Sequence, residues 1–143
     1  MASFDAARGC YVVRVVYVGP GMAGMTTNLQ KICETEARLF GGLPQNRYLF
    51  MVYVVDKGRG GLEHKASTAL IYPRQSFSST KGWEDFLTLA AHEYFHLWNV
   101  KRITAESFAR SDLGAEAYTA DLWHYEGVTS YYEWLILRRA GLV

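Results

Sequence analysis

The pentapeptide His92-Glu93-Tyr94-Phe95-His96 constrains this chain more than any other run in it. Histidines four apart fall on one side of an α-helix, about one turn from each other. Both imidazoles can then reach a single metal ion. Glu93 sits three before His96 and borders the same face, where a carboxylate can hold a water against the metal without ligating it. That is the geometry of a zinc peptidase site: zinc brings the pKa of a water toward neutrality, and the carboxylate takes its proton during attack on a carbonyl. A lone histidine would be read as a hydrogen-bonded core residue. Two histidines with a glutamate between them fit that reading poorly.

The motif needs a helix, and the flanking residues predict one over about 83–100. Trp83, Phe86, Leu87, Ala90, Ala91, Tyr94, Phe95, Leu97 and Trp98 recur at spacings of three and four. They cover more than one face, as in a buried helix. Glu84 and Asp85 fall in its first turn and Lys101 and Arg102 follow its last, each where the helix dipole favours that charge.

A catalytic zinc takes a third protein ligand and keeps one position open. Position 99 is Asn and position 102 is Arg, so no third histidine follows at the HExxHxxGxxH spacing. A glutamate is left. Glu106 follows His96 too closely for the chain to turn and return, whereas Glu116 and Glu126 both lie far enough on. The surroundings favour Glu126. Residues 118–140 predict a second helix, with Thr119 or Asp121 as N-cap, Arg138 and Arg139 in the last turn and Gly141 as C-terminal cap. Glu126 stands there inside an aromatic segment, where a carboxylate must find a partner or take up a proton. Gly127 beside it predicts a close approach by another backbone or a metal site. Glu116 lies in a polar stretch, Ser111 to Ala115, that reads as a loop or a helix start.

The runs HEYFHLWNVKRI (92–103), LWHYEGVTSYYEWLILRRAGL (122–142) and GGLEHKAST (60–68) resemble the glycyl aminopeptidase family, from about residue 10 to the end. These are thermolysin-like zinc enzymes that often carry a downstream PDZ domain. By matching position, the resemblance implies His92, His96 and Glu126 as ligands of one zinc ion and Glu93 as general base. Ala66 and His124 depart from it, where Asn and an apolar residue are commoner. His124, two residues from Glu126, points to another face of the helix.

The segment 60–68 also has its own reading. Tyr48 to Val55 is a buried-strand run, 56–60 a turn, and Glu63 to Tyr72 a second strand ending at Pro73, an expected edge strand. In thermolysin-like enzymes such an edge lines the cleft and pairs with the extended peptide by strand addition. The resemblance therefore implies that Glu63 binds the substrate's free amine, with Gly60 and Gly61 allowing close backbone approach. One of Tyr131 and Tyr132 is a candidate to stabilise the transition state at the oxyanion.

Residues 19–24 match G-x-G-x-x-G between an apolar run and a predicted helix over about 25–40, in the order of a dinucleotide-binding unit. Against that stand Pro20 in the turn and an acidic residue, Asp56, that comes well beyond the usual spacing. A plain glycine-rich turn explains the run better. The rival readings of the chain are this nucleotide-binding domain and a non-catalytic metal- or peptide-binding module.

With 143 residues, half of them apolar, the chain can bury a real core. Its net charge of +1, with Lys and Arg scattered, gives no argument for nucleic acid or an anionic membrane. No apolar run reaches the length of a membrane span, and the N-terminus has no signal-peptide core. Cys10 and Cys33 read as small buried hydrophobes, which points weakly to a reducing, cytoplasmic setting, although a chain cut from a longer one would have lost any targeting segment.

The expected fold is α+β. A small sheet, mostly antiparallel or mixed (strands about 11–18, 47–55 and 63–72), packs on three helices. The resemblance implies that 1–143 is a single domain or the N-terminal portion of a thermolysin-like catalytic domain. Its partners would be a peptide substrate, a helical lobe and a PDZ domain, and the isolated portion would be expected to have little activity.

Overall fold

The computed structural model describes residues 2–6, 11–18, 24–112 and 114–143, with only the backbone described up to residue 18 and at 107. Five strands form one sheet in the order β1-β2-β3-β5-β4. They are β1 (Ala2–Ala6), β2 (Tyr11–Val18), β3 (Arg47–Val55), β4 (Gly60–Glu63) and β5 (Ser67–Pro73). The sheet is mixed: β2–β3 and β3–β5 pair in parallel, while β1–β2 and β4–β5 pair antiparallel. The centre is thus parallel, and the antiparallel pairs lie at the margins. Residues 2–6, not anticipated as a strand, form one edge.

Period-two burial sets the inner face. Tyr48, Phe50 and Val52 of β3 and Thr68, Leu70 and Tyr72 of β5 are buried, whereas Tyr53 and Ile71 on the other face are exposed. Against the inner face lie α1 (Met25–Leu39) and α2 (Thr80–Phe95). The helix α1 presents Met25, Leu29, Ile32, Cys33 and Glu36, a stripe at helical spacing. It connects β2 to β3, which pair in parallel, so the strand-helix-strand order around the glycine run is a parallel unit, although a plain turn is the expectation for that run; residues 19–23 of the run, and Cys10, lie outside the described residues.

The single expected strand 63–72 is two strands. A turn at 64–66 folds β4 back on β5, with Glu63 opposite Thr68, and His64 N–H donates to the Ser67 carbonyl at 2.7 Å. The edge strand is therefore β4, and β5, ending at Pro73, is interior. Only β5 is apolar; β4 is Gly-Gly-Leu-Glu and the turn is His64-Lys65-Ala66, so the polar residues at 63–65, expected as strand, mark the hairpin.

Helix α2 starts three residues earlier than expected, because the Ser79 hydroxyl caps it by accepting from Gly82 N–H at 3.1 Å. It ends at Phe95, not at 100. Residues 96–101 continue as tight turns, with Leu97 N–H bonding to Tyr94 and Lys101 N–H to His96. Leu97, Trp98 and Val100 remain buried, which is why their spacing read as continued helix. After a short α3 (Glu106–Ala109), α4 (Leu122–Arg139) packs on α2. Tyr132 stacks on Phe95 at 5.0 Å, and Phe40 stacks on Trp98 at 4.5 Å. Gly141 at φ 65° closes α4 as expected, with Leu142 N–H donating to Leu137. Among the described residues no helix is long and apolar enough to cross a membrane.

Candidate functional site

His92 lies in the last turn of α2 and His96 is its C-cap, still in helical conformation at φ −61° and ψ −15°. The four-residue offset therefore survives the early end of the helix. The two rings sit 4.8 Å apart, edge to face. Glu126, in the second turn of α4, reaches both. One of its oxygens is 3.0 Å from His92 Nε2, and the other is 3.8 Å from His96 Nε2.

This arrangement fits a zinc ion. Tetrahedral bonds of about 2.1 Å put ligand atoms roughly 3.4 Å apart, between the two distances observed. The donor chemistry fits as well. His92 Nδ1 is 2.6 Å from Glu133, and His96 Nδ1 is 3.0 Å from the Asn99 carbonyl. Carboxylate and carbonyl oxygens only accept, so each Nδ1 carries a proton; His96 Nε2 is left with a lone pair, and His92 Nε2, 3.0 Å from Glu126, carries a proton that a metal would replace. Burial would lower the pKa of His92, but Glu133, Glu93 and Glu126 outweigh it and hold the imidazole above its ordinary value. A cation at Nε2 would release that proton. Burial holds His96 below its ordinary value, so its Nε2 keeps a lone pair.

Glu93 is 6 % exposed and faces Gly61 of β4. Burial pushes its carboxyl up to about 7; His92 opposes this, while Glu63 and Glu126 add to it. That is where a general base working near neutrality is wanted. Gly61 is required by close approach: a Cβ there would lie 2.3 Å from the Glu93 carboxyl group. Gly60, paired with it in the sequence reading, has open space around its Cβ position. A cleft of about 290 Å³ opens here, lined among others by Arg59, Gly60, Gly61, His92, Glu93 and Glu133.

Glu63 ends β4 on the His96 side. Oxygens of Glu63 and Glu93 and a His96 nitrogen lie within 4.8 Å of one another, a second set that could hold a cation. The set of His92, His96 and Glu126 is the better candidate, because Glu63 is already bound to Lys101 Nζ at 3.0 Å. Burial would raise Glu63, but the bond to Lys101 prevails and lowers it.

The remaining sequence candidates lie elsewhere. Glu116 is exposed and accepts from Tyr118, and Glu106 pairs with Arg110. Tyr131 is 68 % exposed, and Tyr132 packs on Phe95 beside an apolar groove; neither lines the cleft. His124 faces that groove, away from the cleft. A Cβ at Gly127 would meet nothing within 4 Å, so the close approach expected there does not occur among the described residues. Lys101 and Arg102 were expected just beyond the last turn, favoured there by the helix dipole, but the helix ends earlier, at Phe95. Lys101 reaches Glu63 instead, and Arg102 donates to the Pro44 carbonyl at 3.2 Å.

Two contributors were not anticipated. Glu133 follows Glu126 by seven residues, two helical turns along the same face, and that spacing was a readable signal. Asn99 holds His96 through its carbonyl, while its amide donates to Tyr125 O at 3.2 Å and Thr129 Oγ1 at 3.1 Å. It thereby ties α2 to the helix that carries Glu126. Nothing local in the sequence signals this, because its partners come 26 and 30 residues later.

Comparison with known proteins gives two findings. Residues 85–143 match the model of the M61 glycyl aminopeptidases. The whole fold is similar to the crystal structure of an aminopeptidase N family protein from Idiomarina loihiensis, with a TM-score of 0.87 and 36 % identity. That match covers 99 % of this chain and 25 % of the other, so the chain spans about a quarter of the length of the structure it resembles. No curated protein matches.

Proposed function

We propose that this chain, which belongs to the glycyl aminopeptidase family, hydrolyses peptide bonds at a zinc centre held by His92, His96 and Glu126. The observation that carries the reading is the convergence of the two Nε2 atoms on the Glu126 carboxylate while both Nδ1 atoms are engaged elsewhere. Zinc, when bound, supplies Lewis acidity toward the scissile carbonyl and acidifies a water. The residues of the chain do the rest. Glu93, buried and close to neutrality in pKa, takes the water's proton and returns it to the leaving amine. The free edge of β4 offers main-chain groups to an extended peptide, and Gly61 lets that strand lie against Glu93. Glu63, at the far end of the strand, receives the protonated α-amine by a charge-assisted hydrogen bond. The enzyme is thus an aminopeptidase, with small first residues such as glycine preferred.

The test is zinc content together with hydrolysis. Purified protein should hold one zinc, lost in His96→Ala. In an active enzyme that includes the helical lobe, Glu93→Gln should keep the metal and lose nearly all turnover of glycyl peptides, because an amide cannot accept the proton. Zinc-supplemented protein that binds no zinc would overturn the reading.

A further inference from the structure

We propose that Lys101 is a positioning residue for amine recognition: it holds the Glu63 carboxylate so that its unengaged oxygen can receive a protonated α-amine. The inference rests on the assignment of Glu63 given above. Two independent observations carry it.

The first is the ion pair. Lys101 Nζ lies 3.0 Å from Glu63 Oε1, with the two side chains only 25 % and 21 % exposed. Exposed ion pairs hold their partners weakly, whereas a pair sheltered from water holds them better. The contact uses one oxygen, and a carboxylate has acceptor sites on both. A second ammonium can therefore join the same carboxylate. Without Lys101, the Glu63 carboxylate would lie beside Glu93 and His96 with no partner of its own to fix its orientation. Lys101 also makes that set a poor place for a metal, which reserves Glu63 for an organic cation.

The second observation is the backbone. Val100 has φ 144°, the one positive φ at a non-glycine residue among those described. A β-branched residue rarely adopts this conformation. It persists here because the turn is fixed on both sides: Val100 is buried, and Lys101 N–H donates to the His96 carbonyl at 3.1 Å. The result is a sharp reversal after α2 that sends Lys101 back toward β4, onto a residue 38 positions earlier. Strained backbone next to a functional group is a recurrent sign that the group's placement matters.

The experiment is calorimetric titration of the zinc-loaded protein with glycinamide and with N-acetylglycinamide, which differ in the free amine. Zinc content and thermal unfolding are measured alongside. Wild type should prefer glycinamide by at least about tenfold, the usual scale for a hydrogen bond to a charged group. Glu63→Ala should abolish the preference. Lys101→Met should cut it to near unity with zinc content unchanged, and Lys101→Arg should retain most of it. No preference in wild type would refute the assignment of Glu63. Preference lost in Glu63→Ala but intact in Lys101→Met would overturn the present inference alone. So would loss of zinc or fold in Lys101→Met together with failure of Lys101→Arg to restore the preference, since Lys101 would then only support the structure.

Discussion

Adding one methyl group at Gly61 tests the contact between the edge strand and the proposed base. A Cβ at 61 would lie 2.3 Å from Cγ, Cδ and Oε1 of Glu93. Non-bonded heavy atoms settle at about 3.5 Å or more, so the carboxyl group must retreat by roughly 1.2 Å. A solvent-exposed glutamate would simply swing away. Glu93 is 6 % exposed, and its carboxyl end shares its space with Glu63 and His96. Overpacking such a site costs about 1–3 kcal/mol. A displacement of this size in a reacting group costs about a hundredfold in rate. Gly61→Ala should therefore lower the unfolding free energy by that amount and the turnover per bound zinc by about two orders of magnitude, with the zinc itself retained. Gly60→Ala is the internal control. Its Cβ meets nothing within 4 Å, so it should stay within about 1 kcal/mol of wild type and remain active. Denaturant unfolding, metal analysis and turnover of a glycyl substrate on both variants decide the matter. Equal behaviour of the two would refute the close approach of β4 to Glu93.

Three further outcomes follow from the same geometry. Glu126→Ala should weaken zinc binding strongly in competitive chelator titrations while Glu116→Ala leaves it nearly unchanged; the reverse would move the third ligand. Glu133→Gln should weaken zinc by about 10–100-fold without removing a ligand, because the carboxylate only orients His92; unchanged affinity would make that contact incidental. Glu93 in the metal-free protein has its pKa raised from 4.5 to about 7, so the stability it contributes is complete below about pH 4.5 and is lost as pH rises through about 7. Glu93→Gln, which cannot ionise, should therefore gain on wild type by roughly 2–3 kcal/mol between pH 5 and pH 8. An offset equal at both pH values in urea unfolding would contradict the burial of an ionisable Glu93.

The candidate site was legible in the sequence where one element carries its own geometry. His92 and His96 are four apart on a helix, so their common direction follows from the helical repeat alone. Glu126 stands out on the premise that its aromatic surroundings bury it, but its side chain is 52 % exposed and Leu122 and Trp123 beside it are exposed too, so the premise fails although the residue does lie against both histidines. The resemblance, not the pattern, supplied Glu63. The rest depends on contacts between segments far apart in the chain. Whether β3 lies beside β5 or β4 is set by the whole sheet, and the polar run Glu63-His64-Lys65, the one local mark of the turn at 64–66, falls inside the expected strand. The partners of Asn99 and Lys101 are likewise chosen by the packing of α4 and β4 on α2. Burial also misled: Leu97, Trp98 and Val100 are apolar because they are inside, and apolar spacing could not separate a helix from the turns that follow it.

On the proposed zinc reading, Asn99 has a consequence for how the metal would come and go. Its carbonyl fixes one imidazole and its amide grips the start of the neighbouring helix, so the ligand set is aligned by pins that contain no metal. Small zinc domains behave differently, because there the ion itself is the core and a chelator unfolds them. Here the interior is built from Phe50, Phe86, Leu87, Tyr94 and their neighbours, an apolar core supplied by the sheet and helices themselves. Stripping the metal should leave a folded protein whose vacant seat is already shaped. Such a seat can be emptied and refilled, or given a spectroscopically visible substitute such as cobalt, on the timescale of ligand exchange and without a refolding step.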